Sequence, residues 1–477
     1  MSKTITIEPI TKIEGEAKVT IQLDDKGNVS DARFHVLDFR GFEKFVEGRM
    51  FWELPVITPR ICGICPVSHH LASVKACDDI LKVDIPAPAK KLRELMHMGQ
   101  YIHSHSLHFF HLAAADLLFG PDSDPMQRNI IGIIQANPDL AKEVIKLRKY
   151  GQKVIELTGG RPIHPVTAIP GGMSKPLTHE ERYVLLKEID SIIKFSLRTV
   201  EIAKEINEKY KDIIPEFGLT SKTKHMGLVK NGSLELYDGN LRMIDPDGNI
   251  LSEFEPRNYL DYIGEHIEDY SYAKFPFYKP HGYPDGIYRV APLSRLNVAE
   301  RIDTELANKE LQEFKKLNNG KPVQETFYYH YARVIEILYA AERAKQLLED
   351  DDIINNNVRV KVDRCAGTGV GVVEAPRGTL FHHYEVDDIG RILKANIIVA
   401  TGQNNPAMNL SVKEIAKKYI KDGKFTEGIL NRIEMGIRAY DPCLTCTTHA
   451  IGKMPLEIKL LDSKGTCIDI IKREEEF

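Results

Sequence analysis

Residues 60–69 read RICGICPVSH and residues 441–449 read DPCLTCTTH, so two Cys-x-x-Cys pairs, each followed by a histidine, lie almost a chain length apart. A Cys-x-x-Cys turn can direct two thiolates at one metal ion, and two such turns can supply four sulfur ligands. The sequence therefore predicts that the fold brings both ends of the chain together around a buried metal centre. Its candidate ligands are Cys62, Cys65, Cys443 and Cys446.

The spacing alone leaves three kinds of site open: structural zinc, an iron–sulfur cluster, and a catalytic metal bound by thiolates. Small zinc ribbons keep their cysteine pairs about 15–20 residues apart, whereas most of this chain separates Cys65 from Cys443. A zinc staple between the two ends of a chain is an unusual arrangement. Thiolates select soft or borderline ions such as nickel, iron and zinc over magnesium.

The composition is that of an ordinary soluble globular protein with a large core: 477 residues, 43% hydrophobic and 28% charged. A net charge of −4 offers no basic excess to neutralise phosphates, which argues against nucleic acid as a partner. Seven cysteines, an odd number, fit a reducing cytoplasm better than a disulfide scaffold. Because we find neither a signal peptide nor an apolar run of about 18 residues, we expect a cytoplasmic protein without direct membrane insertion.

Helical periodicity alternates with short β-like segments along the chain. A capping box, Thr178 with Glu181 three residues later, marks the start of one long helix. Helices are predicted at 87–118, 129–157, 178–200, 298–317 and 324–349, with shorter ones within 411–438. Strands are predicted as a hairpin at 3–35 and singly at 358–362, 370–373 and 397–399. The expected fold class is α+β and mainly helical, with a core bundle of long helices and peripheral β-hairpins.

We expect a single large domain that spans residues 1–477. Within it, residues 1–50 form an N-terminal β segment, and residues 216–295, rich in Tyr, Pro and Gly, form a β-rich insertion. Residues 450–477 form a C-terminal tail. Apolar residues alternate around a turn near Asp462 in this tail, so a hairpin is predicted there.

The helix near residue 100 carries five histidines that suit a ligand set, a proton path or hydrogen-bonded core positions: His97, His103, His105, His108 and His111. Residues 374–378 read EAPRG. A guanidinium fixed in this turn near a metal, that of Arg377, would be a strong electrostatic element. The isolated Cys77, Cys365 and Cys467 are interpreted as buried small hydrophobic residues.

The two cysteine motifs are similar to those of the large subunit of nickel–iron hydrogenases, and the resemblance covers nearly the whole chain. Further stretches resemble that family in the same order: GGRPIHP at 159–165, PGG at 170–172, RVAPLSRLN at 289–297 and EAPRG at 374–378. The resemblance implies the fold of such a large subunit, and it makes a purely structural zinc site a poor interpretation.

Carried over by position, the resemblance implies that Cys62, Cys65, Cys443 and Cys446 bind nickel. Cys65 and Cys446 would also bind an iron ion that carries carbon monoxide and cyanide. Glu14 resembles the carboxylate that takes a proton from the Cys443 position, and His69 resembles the histidine that hydrogen-bonds the Cys65 sulfur. Arg377 and Asp441 resemble groups that cover the open side of the metals.

Three residues resemble ligands of a second metal, usually magnesium: Glu43, His449 and the main-chain carbonyl of a residue near Ile397. One position departs from the family pattern. Many members carry His-Asp-His on the long helix, where this chain has His103, Ser104 and His105. If Ser104 takes the place of that aspartate, the surroundings of Arg377 have one negative charge fewer.

The resemblance implies reversible heterolytic cleavage of dihydrogen, which yields two protons and two electrons in all. The three remaining cysteines are isolated in the sequence and suggest no second cluster, so electrons would pass to a partner subunit that carries iron–sulfur clusters. The sequence looks most like the cytoplasmic methanogen enzymes that do not reduce deazaflavin, which implies two further partners, heterodisulfide reductase and an adaptor subunit. Bidirectional sulfhydrogenase-like and deazaflavin-reducing enzymes are the alternatives within the family.

Two alternatives lie outside that activity: a non-catalytic electron-transfer scaffold, which the four cysteines argue against, and a hydrogen sensor with slow turnover. The tail after His449 raises a separate question. In most of the family a protease removes it once nickel is in place, so a maturation protease and a nickel chaperone are expected transient partners.

Overall fold

A computed structural model describes residues 3–38, 40–217, 222–362, 366–447, 457–461 and 467–472. The helices, in chain order, are α1 (Phe42–Val46), α2 (Leu54–Ile57), α3 (Pro66–Leu81), α4 (Ala87–Leu107), α5 (Ala114–Phe119), α6 (Ile130–Ala136), α7 (Pro138–Gly159), α8 (His179–Lys209), α9 (Tyr259–Tyr262), α10 (Pro292–Val298), α11 (Glu305–Lys316), α12 (Tyr329–Glu349), α13 (Ala400–Tyr419), α14 (Glu427–Arg438) and α15 (Leu444–Thr447).

The long helices form the centre of the molecule. Helix α4 packs against α7 and α12, and α12 packs against α8. Their apolar faces merge into one large core cluster, which also contains the four motif cysteines. The predicted bundle of long helices and the mainly helical α+β fold are thereby confirmed.

Local sequence explains where these helices begin. The Thr178 side chain accepts a hydrogen bond from the Glu181 N–H while the Glu181 side chain bonds back, which is the predicted capping box. The predicted helix at 129–157 is divided at Asn137, whose side chain accepts from the Leu140 N–H and caps α7. The Pro138 after it is suited to a first turn but not to a helix interior.

The predicted helices at 87–118 and 298–317 need correction. A π-helical turn, His108–Ala113, separates α4 from α5. Near residue 298 the chain leaves α10 with an extended Ala299 and starts α11 only at Glu305. Periodicity alone does not reveal such local breaks.

The strands are β1 (Lys3–Ile7), β2 (Ala17–Leu23), β3 (Val29–Val36), β4 (Ala168–Ile169), β5 (Gly172–Met173), β6 (Lys224–Lys230), β7 (Ser233–Leu234), β8 (Asn240–Ile244), β9 (Ile250–Phe254), β10 (Ile263–His266), β11 (Phe275–Tyr278), β12 (Tyr288–Arg289), β13 (Gly367–Ala375), β14 (Gly378–Val386), β15 (Ile392–Ile398), β16 (Glu457–Leu461) and β17 (Cys467–Lys472). The principal sheets have the orders β1-β2-β3, β12-β6-β8-β9 and β13-β14-β15.

Two strand predictions differ from the structure. Residues 3–35 form a three-stranded meander rather than a single hairpin, because the chain also turns between β1 and β2. Residues 358–362 form no strand; they make backbone hydrogen bonds to Gly171 and to Met173 of β5, with one isolated bridge between Arg359 and Gly172. The tail hairpin is confirmed for β16 and β17, which pair antiparallel.

Within these described ranges, we find no helix that is long and apolar enough to cross a membrane.

Candidate metal centre

The two ends of the chain meet at the cysteine motifs. Cys62 ends a 3-10 turn (Thr58–Ile61), and Cys65 is the N-cap residue of α3, with Pro66 in its first turn. On the other side, the Leu444 N–H donates to the Glu14 carbonyl at 3.0 Å. The Cys443 N–H donates to Thr401 Oγ1 of α13 at 3.0 Å. Backbone hydrogen bonding therefore holds the C-terminal motif against the N-terminal segment.

The four sulfurs converge as the sequence predicted, with ligand atoms all within 4.8 Å of one another. The Sγ–Sγ distances are 3.2 Å for Cys62–Cys443, 3.8 Å for Cys65–Cys446 and 2.9 Å for Cys443–Cys446. All four are free thiols and are at most 5% exposed. A metal with sulfur ligands at about 2.3 Å would hold tetrahedral sulfurs about 3.8 Å apart. The Cys65–Cys446 pair has that spacing and the other two pairs are closer, so the four sulfurs are near enough to share a soft metal ion.

The four buried sulfurs also need a cation nearby if they are to be thiolates. Burial raises the pKa of the Cys443 and Cys446 thiols well above the ordinary value, so these groups need positive charge nearby to become thiolates. The Cys62 sulfur accepts hydrogen bonds from the Ile64 N–H at 3.3 Å and from the Cys65 N–H at 3.2 Å. Hydrogen bonds of this kind favour the thiolate, which is the form that binds metal.

Arg377 lies beside the sulfurs, on the tight turn that joins β13 to β14. Its Nε donates to the Asp441 carbonyl at 2.8 Å, and its Nη2 donates to Asp441 Oδ1 at 2.9 Å. Burial opposes its charge, but Asp441 and three of the cysteines raise the pKa of Arg377. The guanidinium is therefore a fixed cation facing the metal site.

Ser104 does occupy the position beside this arginine, because Arg377 Nη1 donates to Ser104 Oγ at 3.2 Å. A hydroxyl thus replaces a carboxylate there, as the resemblance to the family suggested. Asp441 remains the arginine's ion-pair partner, and its left-handed backbone, φ 57°, turns the chain just before Cys443. Burial raises the pKa of Asp441, and the charges of Arg377 and Arg333 oppose that rise.

Glu14 lies next to the Cys443 backbone and is half-buried, whereas Cys443 is 1% exposed. Its carboxylate accepts hydrogen bonds from the Thr445 hydroxyl and, at 3.3 Å, from the Thr445 N–H. Thr445 lies between Cys443 and Cys446 in the motif, so the carboxylate is held at the margin of the sulfur cluster.

His69 is one helical turn beyond Cys65 on α3 and is 1% exposed. Its Nδ1 lies 3.1 Å from Nε2 of His382 on β14. Residues four apart share a helix face, so His69 lies on the side of α3 that carries Cys65.

The predicted magnesium ligands are brought together only in part. Glu43 Oε1 accepts a hydrogen bond from the Ile397 N–H at 2.7 Å, so these two residues are neighbours. The bond uses the amide of Ile397, whereas the resemblance implies a main-chain carbonyl as the ligand. His449 lies outside the described residues.

The histidines of the long helix bind protein groups. His105 Nε2 lies 2.8 Å from a Glu336 carboxylate oxygen, and His108 and His97 each have a main-chain carbonyl at 2.7 Å. None of the five belongs to the metal-ligand group found among the described residues. The interpretation as hydrogen-bonded core positions therefore fits them better than a ligand set.

Sequence reasoning missed a buried ionic cluster behind the Arg377 turn. Arg295 Nε donates to Glu336 Oε1 at 2.6 Å, and its Nη1 donates to Glu374 Oε2 at 2.8 Å. The same guanidinium donates to the Ala375 and Pro376 carbonyls at 2.9 and 3.1 Å. The only available signal was that Arg295 and Glu374 fall within two of the family-like stretches, which assigns them no partner.

Comparisons with known proteins agree with this geometry. A family model described as nickel-dependent hydrogenase matches residues 40–119 and 234–449, and one described as HoxL-like matches residues 4–39. A chain of the vhu F420-non-reducing hydrogenase of Methanococcus voltae is 50% identical over 88% of this chain and 99% of its own length. The corresponding chain of an F420-non-reducing hydrogenase of Methanothermobacter thermautotrophicus is 48% identical over 98% of this chain and 99% of its own length.

A solved structure of an NAD⁺-reducing [NiFe]-hydrogenase in the H2-reduced state superposes with a TM-score of 0.91 at 44% identity, covering 94% of this chain and 99% of that chain. The chain therefore belongs to the nickel-dependent hydrogenase family. Its activity is that of an [NiFe] hydrogenase, of which it is the large, catalytic subunit.

Replacing Arg377 with lysine is expected to slow dihydrogen turnover about 100-fold while nickel stays bound. Lysine keeps the positive charge but cannot contact the carbonyl and carboxylate of Asp441 in the same forked geometry. The measurement is the steady-state rate of hydrogen oxidation together with nickel per chain, with exposed Arg257→Lys as the matched control. A wild-type rate in the Arg377→Lys enzyme would remove the arginine from the mechanism.

Proposed function

We propose that Cys62 and Cys443 are terminal ligands of nickel, and that Cys65 and Cys446 bind both nickel and an iron ion carrying carbon monoxide and cyanide. The observation that carries this proposal is the convergence of four buried, free sulfurs within 4.8 Å. A nickel–iron centre held there would supply Lewis-acid chemistry that makes bound dihydrogen acidic enough to lose a proton.

The protein must then remove that proton. Arg377 is a poor acceptor, because it is already cationic and uses three hydrogen bonds to hold Asp441 and Ser104. We assign the first proton to the Cys443 sulfur and the next position to the Glu14 carboxylate, which adjoins Cys443 and is partly open to solvent. Arg377 would orient the site and offset negative charge.

The electrons need a route as well. Among the described residues, the four cysteines are the only group arranged to hold a metal, so the chain must pass electrons to a partner. Gly63, between Cys62 and Cys65, is exposed, and a side chain added there would meet nothing within 4 Å. An iron–sulfur subunit that covers this turn would come closest to the metals.

The family membership leaves open which final acceptor receives the electrons. Relatives at about 50% identity are named F420-non-reducing hydrogenases, which supports an enzyme of that type. We propose, from the family resemblance, that it works in the cytoplasm and feeds heterodisulfide reductase through an adaptor subunit. A second candidate acceptor is NAD⁺. The subunit beta of the NAD-reducing hydrogenase HoxS of Cupriavidus necator is 43% identical over 98% of this chain. Assays with each acceptor on the purified complex would decide between them.

Two further assignments follow the family pattern. Glu43, His449 and the main chain near Ile397 would hold magnesium, a role supported by the contact between Glu43 and Ile397. Removal of the tail after His449 by a maturation protease, once a chaperone has delivered nickel, would leave residues 450–477 absent from the mature subunit. Intact mass measurement of that subunit tests the cleavage.

The proposal for nickel is tested by metal analysis of the complex purified without oxygen. We expect about one nickel per chain, iron in excess of one per chain from the partner clusters, and no stoichiometric zinc. Cys446→Ser should lose nickel and activity, because a serine hydroxyl is a poor ligand for a soft metal. Cys77→Ser, also buried but remote from the quartet, should keep both. Stoichiometric zinc without nickel would return the cysteines to a structural role.

A further inference from the structure

Asp116 lies in α5, directly after the π-helical turn, and its carboxylate is the centre of a buried ionic cluster. Arg438 Nη1 donates to Oδ2, Lys12 Nζ lies 3.1 Å from Oδ1, and Arg128 Nε lies 3.4 Å from the same oxygen. The Asn431 amide also donates to Oδ1 at 3.3 Å. Asp116 and Arg438 are each 1% exposed, so bulk water does not compete for this carboxylate. One side chain therefore joins the N-terminal segment to α14.

The N-terminal side of the cluster holds the segment that carries Glu14. The Thr11 N–H donates to a Glu434 carboxylate oxygen at 3.0 Å, and the Thr11 carbonyl accepts from Arg438 Nη2 at 3.1 Å. The next residue, Lys12, is held by its ion pair and has a left-handed backbone, φ 57°. A residue other than glycine keeps this conformation only where its surroundings hold it there. Anchors on two successive residues therefore fix the chain just before Glu14.

The C-terminal side of the cluster holds the segment that carries Cys443. Arg438 ends α14 and lies five residues before this cysteine. Its carbonyl accepts from His108 Nε2 of the π-helical turn at 2.7 Å and from the Asp441 N–H at 2.9 Å. The π-helical turn thus binds the main chain of Arg438, and Asp116, three residues after that turn, binds its side chain. Turns of this type are frequent at functional sites.

Glu14 and Cys443 lie side by side through two direct backbone hydrogen bonds. The Leu444 N–H donates to the Glu14 carbonyl at 3.0 Å, and the Glu14 N–H donates to the Pro442 carbonyl at 3.4 Å, which is long for such a bond. Proton transfer needs the two groups within hydrogen-bond reach, directly or through one water. A displacement of about 1 Å can cost about 100-fold in rate. The anchors on either side therefore control a distance on which the proton step depends.

We propose that Asp116 sets the separation between the Glu14 carboxylate and the Cys443 sulfur. It does so through two ion pairs, with Lys12 before the first of these residues and with Arg438 before the second. Asp116, Lys12 and Arg438 are positioning residues, because none of them receives the proton. The inference rests on the proposed function, in which the Cys443 S–H bond breaks and an O–H bond forms on Glu14. Weakening the cluster should slow that transfer and leave the cleavage of dihydrogen in place.

The test uses the complex purified without oxygen and compares two isotope reactions. Conversion of para- to ortho-hydrogen needs dihydrogen to be cleaved and formed again, but the proton need not leave the site. Exchange of deuterium gas with water needs the proton to leave. The ratio of the exchange rate to the conversion rate therefore reports proton exit, and an enzyme that has merely lost metal loses both rates together. Two further measurements are nickel per chain and, by mass spectrometry, the amide hydrogen exchange of residues 10–16, which reports how firmly this segment is held.

Lys12→Met removes one ion pair of the cluster. We expect the ratio to fall about 10- to 100-fold and the amides of residues 10–16 to exchange faster, with nickel unchanged. Lys12→Arg keeps a cation that can donate to Asp116 and should stay close to wild type. Asp116→Asn removes the charge that the cations share and should lower the ratio at least as far. Lys91→Met is the matched control, because the Lys91 side chain is 26% exposed, against 23% for Lys12, and pairs with Asp350 and Asp352.

The outcomes separate the positioning role from the proton relay itself. If Glu14→Gln leaves the ratio at its wild-type value, the relay through Glu14 falls and the positioning proposal falls with it. If Glu14→Gln lowers the ratio while Lys12→Met leaves it unchanged, the relay stands and the positioning proposal is overturned. A lower ratio in Lys12→Met without faster amide exchange would assign the effect to lost charge and would overturn it as well. Should Asp116→Asn fail to assemble, the contrast between Lys12→Met and Lys12→Arg decides the question.

Discussion

Replacing Glu14 with glutamine is expected to slow dihydrogen turnover and hydrogen–deuterium exchange by about 100- to 10,000-fold, the range typical of a lost proton-transfer group. In the wild type, the Thr445 hydroxyl and N–H donate hydrogen bonds to the Glu14 carboxylate. Glutamine has nearly the same shape, and its carbonyl oxygen can still accept these bonds. It cannot take up and release a proton at neutral pH. The loss should therefore appear in the rate and leave the metal site intact.

The Glu14→Gln prediction is tested by two measurements and one control variant. Nickel per chain should equal that of the wild type, while isotope exchange between deuterium gas and water should fall together with turnover. Glu16→Gln provides the matched control, because Glu16 lies two residues away and is exposed. Exchange at the wild-type rate in Glu14→Gln would show that protons leave the Cys443 sulfur by another route.

The sulfur quartet was predictable from sequence because each half of it is local. A Cys-x-x-Cys pair presents its two thiols on one turn whatever the rest of the chain does, and only the meeting of the two turns depends on the fold. The capping box at Thr178 was predictable for the same reason, since its two partners are three residues apart. The structure bears out both.

Contacts between distant segments could not be predicted in this way. The alternating valines at 358–362 suggest a strand, but the segment makes only one isolated bridge, to the two-residue strand β5. Periodicity likewise gave no indication of the π-helical turn at His108–Ala113. Arg295 and its two glutamates come from three different elements, and no sequence pattern links them. Their pairing is a property of the packed core.

That cluster is the basis of the second large effect. Arg295, Glu336 and Glu374 are all 0% exposed, and the Arg295 guanidinium forms ion pairs with both carboxylates. Replacing Arg295 with methionine keeps most of the volume but leaves two buried carboxylates without their cation. Breaking a buried pair from one side costs about 3–5 kcal/mol, so the denaturation midpoint of the complex should fall by a matching amount. Arg198→Met is the control, since this arginine is 51% exposed and its partners Glu201 and Glu205 are 63% and 62% exposed. Such surface pairs contribute at most about 1 kcal/mol.

The pH dependence of this loss distinguishes lost charge compensation from lost packing. Burial already raises the pKa of Glu374, even with Arg295 beside it. With Arg295 in place the pKa of Glu336 is lowered, chiefly because the charge of Arg295 offsets its burial. Without the arginine, its charge and hydrogen bonds no longer oppose the effect of burial, so the folded-state pKa values of both glutamates rise. Glutamates of the unfolded chain ionise near about pH 4.3, so above that pH the folded variant holds protons that the unfolded chain has released. Its stability must fall as the pH rises. We therefore expect Arg295→Met to lose less stability at pH 5 than at pH 8, whereas an equal loss at both would attribute the effect to packing.

Because Arg295 also holds the Ala375 and Pro376 carbonyls, the same variant should misplace Arg377 and lose hydrogenase activity under conditions where it is still folded.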